Sequence, residues 1–159
     1  MPSCVVTPLI DPSVRKLCVR SYPRHKRGCP NFNKKNGCPP HIGMFHEVYD
    51  LNQPVLAVWN IFDFKGHVEY MKANHPDWSQ AQLENCLYWQ GKARKSLRRI
   101  VTEILKLYPG IQANYCPEAM GVNITETMKS IGVVLEWPPV NVAIQVALLA
   151  YQRGSHGTS

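Results

Sequence analysis

Acidic residues are scarce in this chain and unevenly placed. Only 11 Asp+Glu stand against 18 Lys+Arg, for a formal net charge of +7, and no Asp or Glu falls between Pro12 and His46. With so few carboxylates, most of them isolated, a paired-carboxylate acid–base mechanism is disfavoured. Three catalytic signatures are also missing: a glycine-rich phosphate loop, a Gly-x-Ser-x-Gly nucleophile elbow and a His-Glu-x-x-His zinc helix. Long apolar runs are lacking too. The nearest, Val140 to Tyr151, contains Asn141 and Gln145 and falls short of the roughly 18 to 20 apolar residues that span a bilayer, so no membrane association is expected. Met1 to Asp11 has neither the basic start nor the apolar stretch of a secretory signal. A cytoplasmic location is therefore expected, with the six cysteines kept reduced and available for metal binding or catalysis.

A chain of 159 residues fits one domain, and 45% hydrophobic with 18% charged residues is ordinary globular composition. Within that single domain (residues 1–159) three parts are distinguishable. Residues 1–46 form a basic, cysteine- and proline-rich region in which Gly28, Pro30, Gly37, Pro39, Pro40 and Gly43 interrupt any period, so a loop organised by a metal is expected there. Residues 47–153 carry the α/β core, and 154–159 a flexible tail. In the core, Pro54 to Phe64 predicts a buried strand and Gly66 to Asn74 a short helix. Ser79 to about Leu107 predicts one long helix, with Leu83, Cys86, Leu87, Ala93, Leu97, Ile100, Val101, Ile104 and Tyr108 on its inner face. Lys92, Lys95, Arg99 and Lys106 then form a basic stripe on its outer face. Asn123 caps a helix over 124–131 that ends at Gly132. Val133 to Trp137 predicts a short strand, and Val140 to Leu148 alternates as a last strand with one face more apolar. The expected fold is α+β (or α/β), a small sheet packed against helices, with the metal-binding loop region N-terminal to it.

The cysteines carry the chemistry. Cys29, Cys38 and Cys116 are each followed directly by proline, which fixes the backbone after a ligand and removes an amide donor. Ten residues separate Cys18 from Cys29 and eight separate Cys29 from Cys38, so these three can meet in one loop; Cys116 is the natural fourth ligand, brought in by the fold. Cys-Pro closes the bacterial ferredoxin motif, whereas structural zinc more often takes cysteines in close pairs, which this chain lacks. An iron–sulfur cluster, 4Fe–4S favoured, is expected on Cys18, Cys29, Cys38 and Cys116, with zinc as the alternative. Cys86 is assigned to the helix core. His41 and His46 follow the Cys38-Pro39-Pro40 turn closely enough to replace a thiolate, support one or contact a substrate.

Eight of the 18 Lys+Arg lie in the acid-free stretch: Arg15, Lys16, Arg20, Arg24, Lys26, Arg27, Lys34 and Lys35. Their field can stabilise thiolates or attract a polyanion, Arg20, Arg24, Lys26, Arg27, Lys34 and Lys35 being the candidate polyanion contacts.

With Gly28-Cys29-Pro30-Asn31-Phe32, Cys38-Pro39-Pro40 and Cys116-Pro117-Glu118-Ala119-Met120-Gly121-Val122-Asn123-Ile124 in view, the chain resembles an uncharacterised family described as predicted metal-binding proteins. Its members look similar in an early Cys-Pro-x-aromatic element, a Cys-Pro-Pro element soon after, and a later cysteine before a helix. That later region is richer in cysteine in the family, and this chain has only Cys116 there. The resemblance implies metal binding and no reaction. Three functions remain open: an iron–sulfur protein with a redox or structural cluster and a redox partner; a zinc-stabilised nucleic-acid-binding module with Tyr22 and Phe32 interleaved for stacking; and an enzyme using an open cluster iron on a nucleotide or sulfur-containing substrate.

Overall fold

The computed structural model describes residues 2–18, 34 and 41–154. The elements are strand β1 (Ser3–Val6), helix α1 (Phe45–Val48), strand β2 (Val55–Asp63), helices α2 (Phe64–Asn74), α3 (Gln80–Leu83) and α4 (Gln90–Leu105), strand β3 (Gln112–Asn114), helix α5 (Ile124–Lys129) and strand β4 (Val142–Ala150). Three 3₁₀ turns, Pro12–Cys18, Cys86–Tyr88 and Pro117–Met120, join them. The fold is α+β: one antiparallel sheet of order β1-β2-β4-β3, with helices on both faces. The expected strand from Pro54 to Phe64 is β2, and the expected helix after Asn123 is α5, whose cap is the Asn123 side chain accepting from the Glu126 N–H at 3.1 Å.

The sheet alternates because successive side chains leave a strand on opposite sides. Val55 and Ala57 in β2, with Leu148 and Ala150 in β4, meet Phe45, Tyr49, Met120, Val122, Ile124 and Met128 on one face. Leu56, Val58, Ala147 and Leu149 meet Leu97, Val101 and Ile104 of α4 on the other. Both faces are covered where β2 and β4 pair, so β4 runs to Ala150 and buries Ala147 through Ala150 without alternation. The one-sided pattern expected for Val140 to Leu148 misses this, and Val140 is exposed.

Three further expectations are corrected. The single helix from Ser79 to Leu107 is three elements: Ser79 and Gln82 close a capping box that starts α3, and Asn85 then accepts from the Leu87 N–H at 3.1 Å and restarts the chain as a 3₁₀ turn. Trp89, at φ −136°, leaves the helical region. That break turns Cys86 and Leu87 to solvent, where a continuous helix puts them in the core. Val133 to Trp137 forms no strand; the Glu136 carboxylate instead accepts the N–H groups of Val140 at 2.8 Å and Asn141 at 2.7 Å, and folds the segment back on itself. The first 46 residues are more than a loop: β1 forms an edge of the sheet, and β3, also unforeseen, forms the other.

Candidate metal centre

Cys116 stands between β3 and a 3₁₀ turn. Asn114 fixes it, its Oδ1 accepting from the Cys116 N–H at 2.9 Å. The amide of Asn114 donates in turn to Met120 Sδ at 2.8 Å and to the Tyr49 hydroxyl at 3.4 Å, which ties the turn to α1. Pro117 occupies the first position of the 3₁₀ turn, where its missing N–H costs nothing, and is buried. Cys116 itself is exposed. An asparagine two residues before a cysteine is the sequence signal for such a turn.

The N-terminal segment is laid along this turn. Asn123 N–H donates to Leu9 O at 2.8 Å, Leu9 N–H to Thr127 Oγ1 at 3.0 Å and Asp11 N–H to Gly121 O at 2.7 Å, with Ile10 bridged to Val122. Asp11 then accepts from the N–H and hydroxyl of Ser13, which holds its carboxyl below the usual range and starts the Pro12–Cys18 turn. That turn packs against Pro117–Met120. Cys18 closes one turn and Cys116 caps the other, so the fold brings these two cysteine-bearing elements together. Only the backbone of Cys18 is described.

A second tether comes from the far side. The half-buried Arg15 donates to Ile42 O at 2.5 Å and reaches Met44 Sδ at 3.5 Å. Met44 packs on Gly121, whose φ of +79° and missing Cβ both matter: an added Cβ would collide with Met44 Cε and stand 2.9 Å from its Sδ. The chain therefore enters residues 19–40 from the Pro12–Cys18 turn and leaves them at His41–Met44 beside the same Cys116–Gly121 turn. Cys29, Cys38, Arg20, Arg24, Lys26, Arg27 and Lys35 lie outside the described residues. Lys34 is exposed, as is His41. His46 lies in α1 with its Nδ1 buried and without a hydrogen-bond partner.

The electrostatics around the turn are mixed. Glu118 is half-buried by exposed area, yet enough protein surrounds its carboxyl that desolvation raises it above the ordinary 4.5. Tyr115, next to Cys116, carries the Arg98 guanidinium of α4 over its ring at 4.3 Å. Among the described residues no group of three His, Cys, Asp or Glu is gathered closely enough to hold a metal; Cys29 and Cys38, expected as ligands from the sequence, are not among those residues. The donors fit a thiophilic metal in kind: thiols set in a stretch without acids, and an imidazole nitrogen still lacking a partner.

Fold and site together define an α+β protein in which a short N-terminal segment and a Cys-Pro turn are bound to each other over one face of an antiparallel sheet. No family model, curated protein or solved structure matches the chain. No helix among the described residues is long and apolar enough to cross a membrane.

Proposed function

We infer that this chain is a metalloprotein in which Cys18, Cys29, Cys38 and Cys116 hold one centre, an iron–sulfur cluster of the 4Fe–4S kind in preference to zinc, with a redox or structural role. The observation that carries it is the double tether: Asp11–Gly121 on one side and Arg15–Ile42 with Met44–Gly121 on the other hold both ends of the Cys29- and Cys38-bearing stretch against the Cys116 turn. A stretch with six of the chain's basic residues and no acid favours thiolates over thiols. Such a cluster would supply one-electron chemistry or a covalent cross-tie between residues distant in sequence. The chain's own part is to present Cys116 on a turn fixed by Asn114 and to neutralise thiolate charge with nearby cations.

The test is anaerobic purification followed by iron, sulfide and zinc analysis. The expected protein is brown, holds iron and acid-labile sulfide in equal amounts, and loses both when any one of the four cysteines becomes alanine. Zinc without sulfide would replace the cluster by the zinc alternative. No metal at all, or full metal retention in Cys116→Ala, would remove the four-cysteine centre altogether.

A further inference from the structure

Helix α4 carries a cationic surface that the metal centre does not use. Between Gln90 and Thr102 there is no acid, and Lys92, Arg94, Lys95, Arg98 and Arg99 are all exposed. Ala93, Leu97, Val101 and Ile104 face the sheet. At about 100° per residue, Lys95 and Arg99 point directly away from that stripe, Arg94 and Arg98 take one flank and Lys92 the other. Among the described residues the sole salt bridge is Lys106 to Glu103 at 2.8 Å, one helical turn further on. Among the described residues no salt bridge therefore neutralises the five cations of the first three turns.

Aromatic rings stand beside this surface. Arg98 stacks on Tyr115 at 4.3 Å, and Tyr115 is itself exposed, so one ring face is held by the guanidinium and the side chain remains open to solvent. At the start of α4, Tyr88 is half exposed and lies 5.2 Å from the Trp78 ring, which stacks on His75 at 3.9 Å. Cations spaced along a helix and flanked by solvent-facing rings are what a flexible polyanion with planar bases requires: the phosphates meet the cations and the bases find a π-face. An acidic protein would use the cations and have no need of the rings.

We propose that the outer face of α4, with Tyr115 beside it, binds single-stranded nucleic acid. Lys95 and Arg99 contact phosphates, Arg94 and Arg98 border the strand, and Tyr115 accepts a stacked base. This goes beyond the metal centre and stands whether or not the four cysteines hold one. Because Tyr115 adjoins Cys116, a strand on this face would pass next to the Cys116 turn.

Fluorescence anisotropy with the full chain and a labelled single-stranded RNA of roughly 12 nucleotides tests it. Lys95→Gln with Arg99→Gln should weaken binding at least tenfold and lower the slope of log affinity against log salt by about 1.4, the loss of two single-strand phosphate contacts. Lys65→Gln with Lys72→Gln, which removes the same charge from exposed positions on α2, should leave the slope nearly unchanged. Tyr115→Ala should weaken binding roughly tenfold with the slope intact, while Tyr115→Phe restores it; metal content, measured alongside, separates this from damage at Cys116. Equal losses from the α2 and α4 pairs, equal affinity for a duplex of the same sequence, or equally good competition by polyglutamate would each overturn the proposal. Failure to bind the RNA at all would do the same.

Discussion

Two single residues hold their segments in different ways, Gly121 through backbone geometry beside the candidate site and Glu136 through its charge in the loop before β4. Gly121 sits at φ +79° beneath Met44, where any Cβ is strained and must displace a buried side chain. Gly121→Ala should cost at least about 1–2 kcal/mol, read as a lower denaturation midpoint, and should reduce metal loading along with it, because Met44 and Arg15 are what hold the far end of residues 19–40. Unchanged stability would mean that the tether is slack. Glu136 acts differently, through charge. Its carboxylate accepts the Val140, Asn141 and Val142 N–H groups and the Asn141 amide, which pulls its pKa down to about 2. The folded pKa lies below the unfolded value near 4.5, so the stabilisation is full above pH 4.5 and is lost as the pH falls toward about 2. Glu136→Gln should therefore melt at a lower temperature than the parent at neutral pH, and the two melting curves should converge as the solution is acidified through that window. Curves that stay parallel would show that the loop does not depend on the ionised carboxylate.

Among the elements, α4 is the one whose inner face the sequence conveys best, and its neighbours show what limits a hydrophobic period. Ala93, Leu97, Val101 and Ile104 recur at helical spacing and are all buried. Leu97→Ala should cost about 2–5 kcal/mol, by lost transfer energy and a residual cavity against Leu56 and Leu149. Upstream, Leu83, Cys86 and Leu87 fit the same period, yet Asn85 captures the Leu87 N–H and the helix ends; a local side-chain hydrogen bond outweighs periodicity, and hydrophobic pattern alone does not register it. The short strands β1 and β3 carry no such pattern either: Ser3–Val6 is mostly exposed and Gln112–Asn114 is polar, so each becomes a strand only by pairing with β2 or β4. The packing of α2 on α4 is also testable. Burial, and then the Lys92 charge, lower the His67 pKa below 6.5. The imidazole is therefore favoured neutral in the fold, and its protonation on acidification opposes folding. Lys92→Gln should move the His67 proton titration upward toward 6.5 in an NMR pH series; no movement would place Lys92 too far away to matter.

At the level of the whole molecule, the core and the candidate centre depend on different kinds of information. Two covered faces on a four-stranded sheet come from local apolar runs; β2 is legible from such a run, α4 from its helical period and α5 from its Asn123 cap. The proposed centre depends on tertiary closure: nothing in the sequence announces that Leu9–Asp11 lies along Gly121–Asn123, or that Arg15 reaches Ile42, whereas the three Cys-Pro pairs that the proposal joins are visible in it. If a metal is what organises residues 19–40, its effect should be confined to them. Trypsin sites at Arg20, Arg24, Lys26, Arg27, Lys34 and Lys35 then provide a reporter, since cleavage follows the population of open backbone when opening is fast. The metal-loaded protein should resist trypsin at all six. Removal of the metal by chelator or oxidation should speed cutting there at least tenfold while a fragment beginning near His41 persists, because the sheet and α4 keep their packing without it. Equal cutting rates with and without metal would separate the order of that stretch from the centre, and loss of the 41–154 fragment would mean that the core itself depends on the metal.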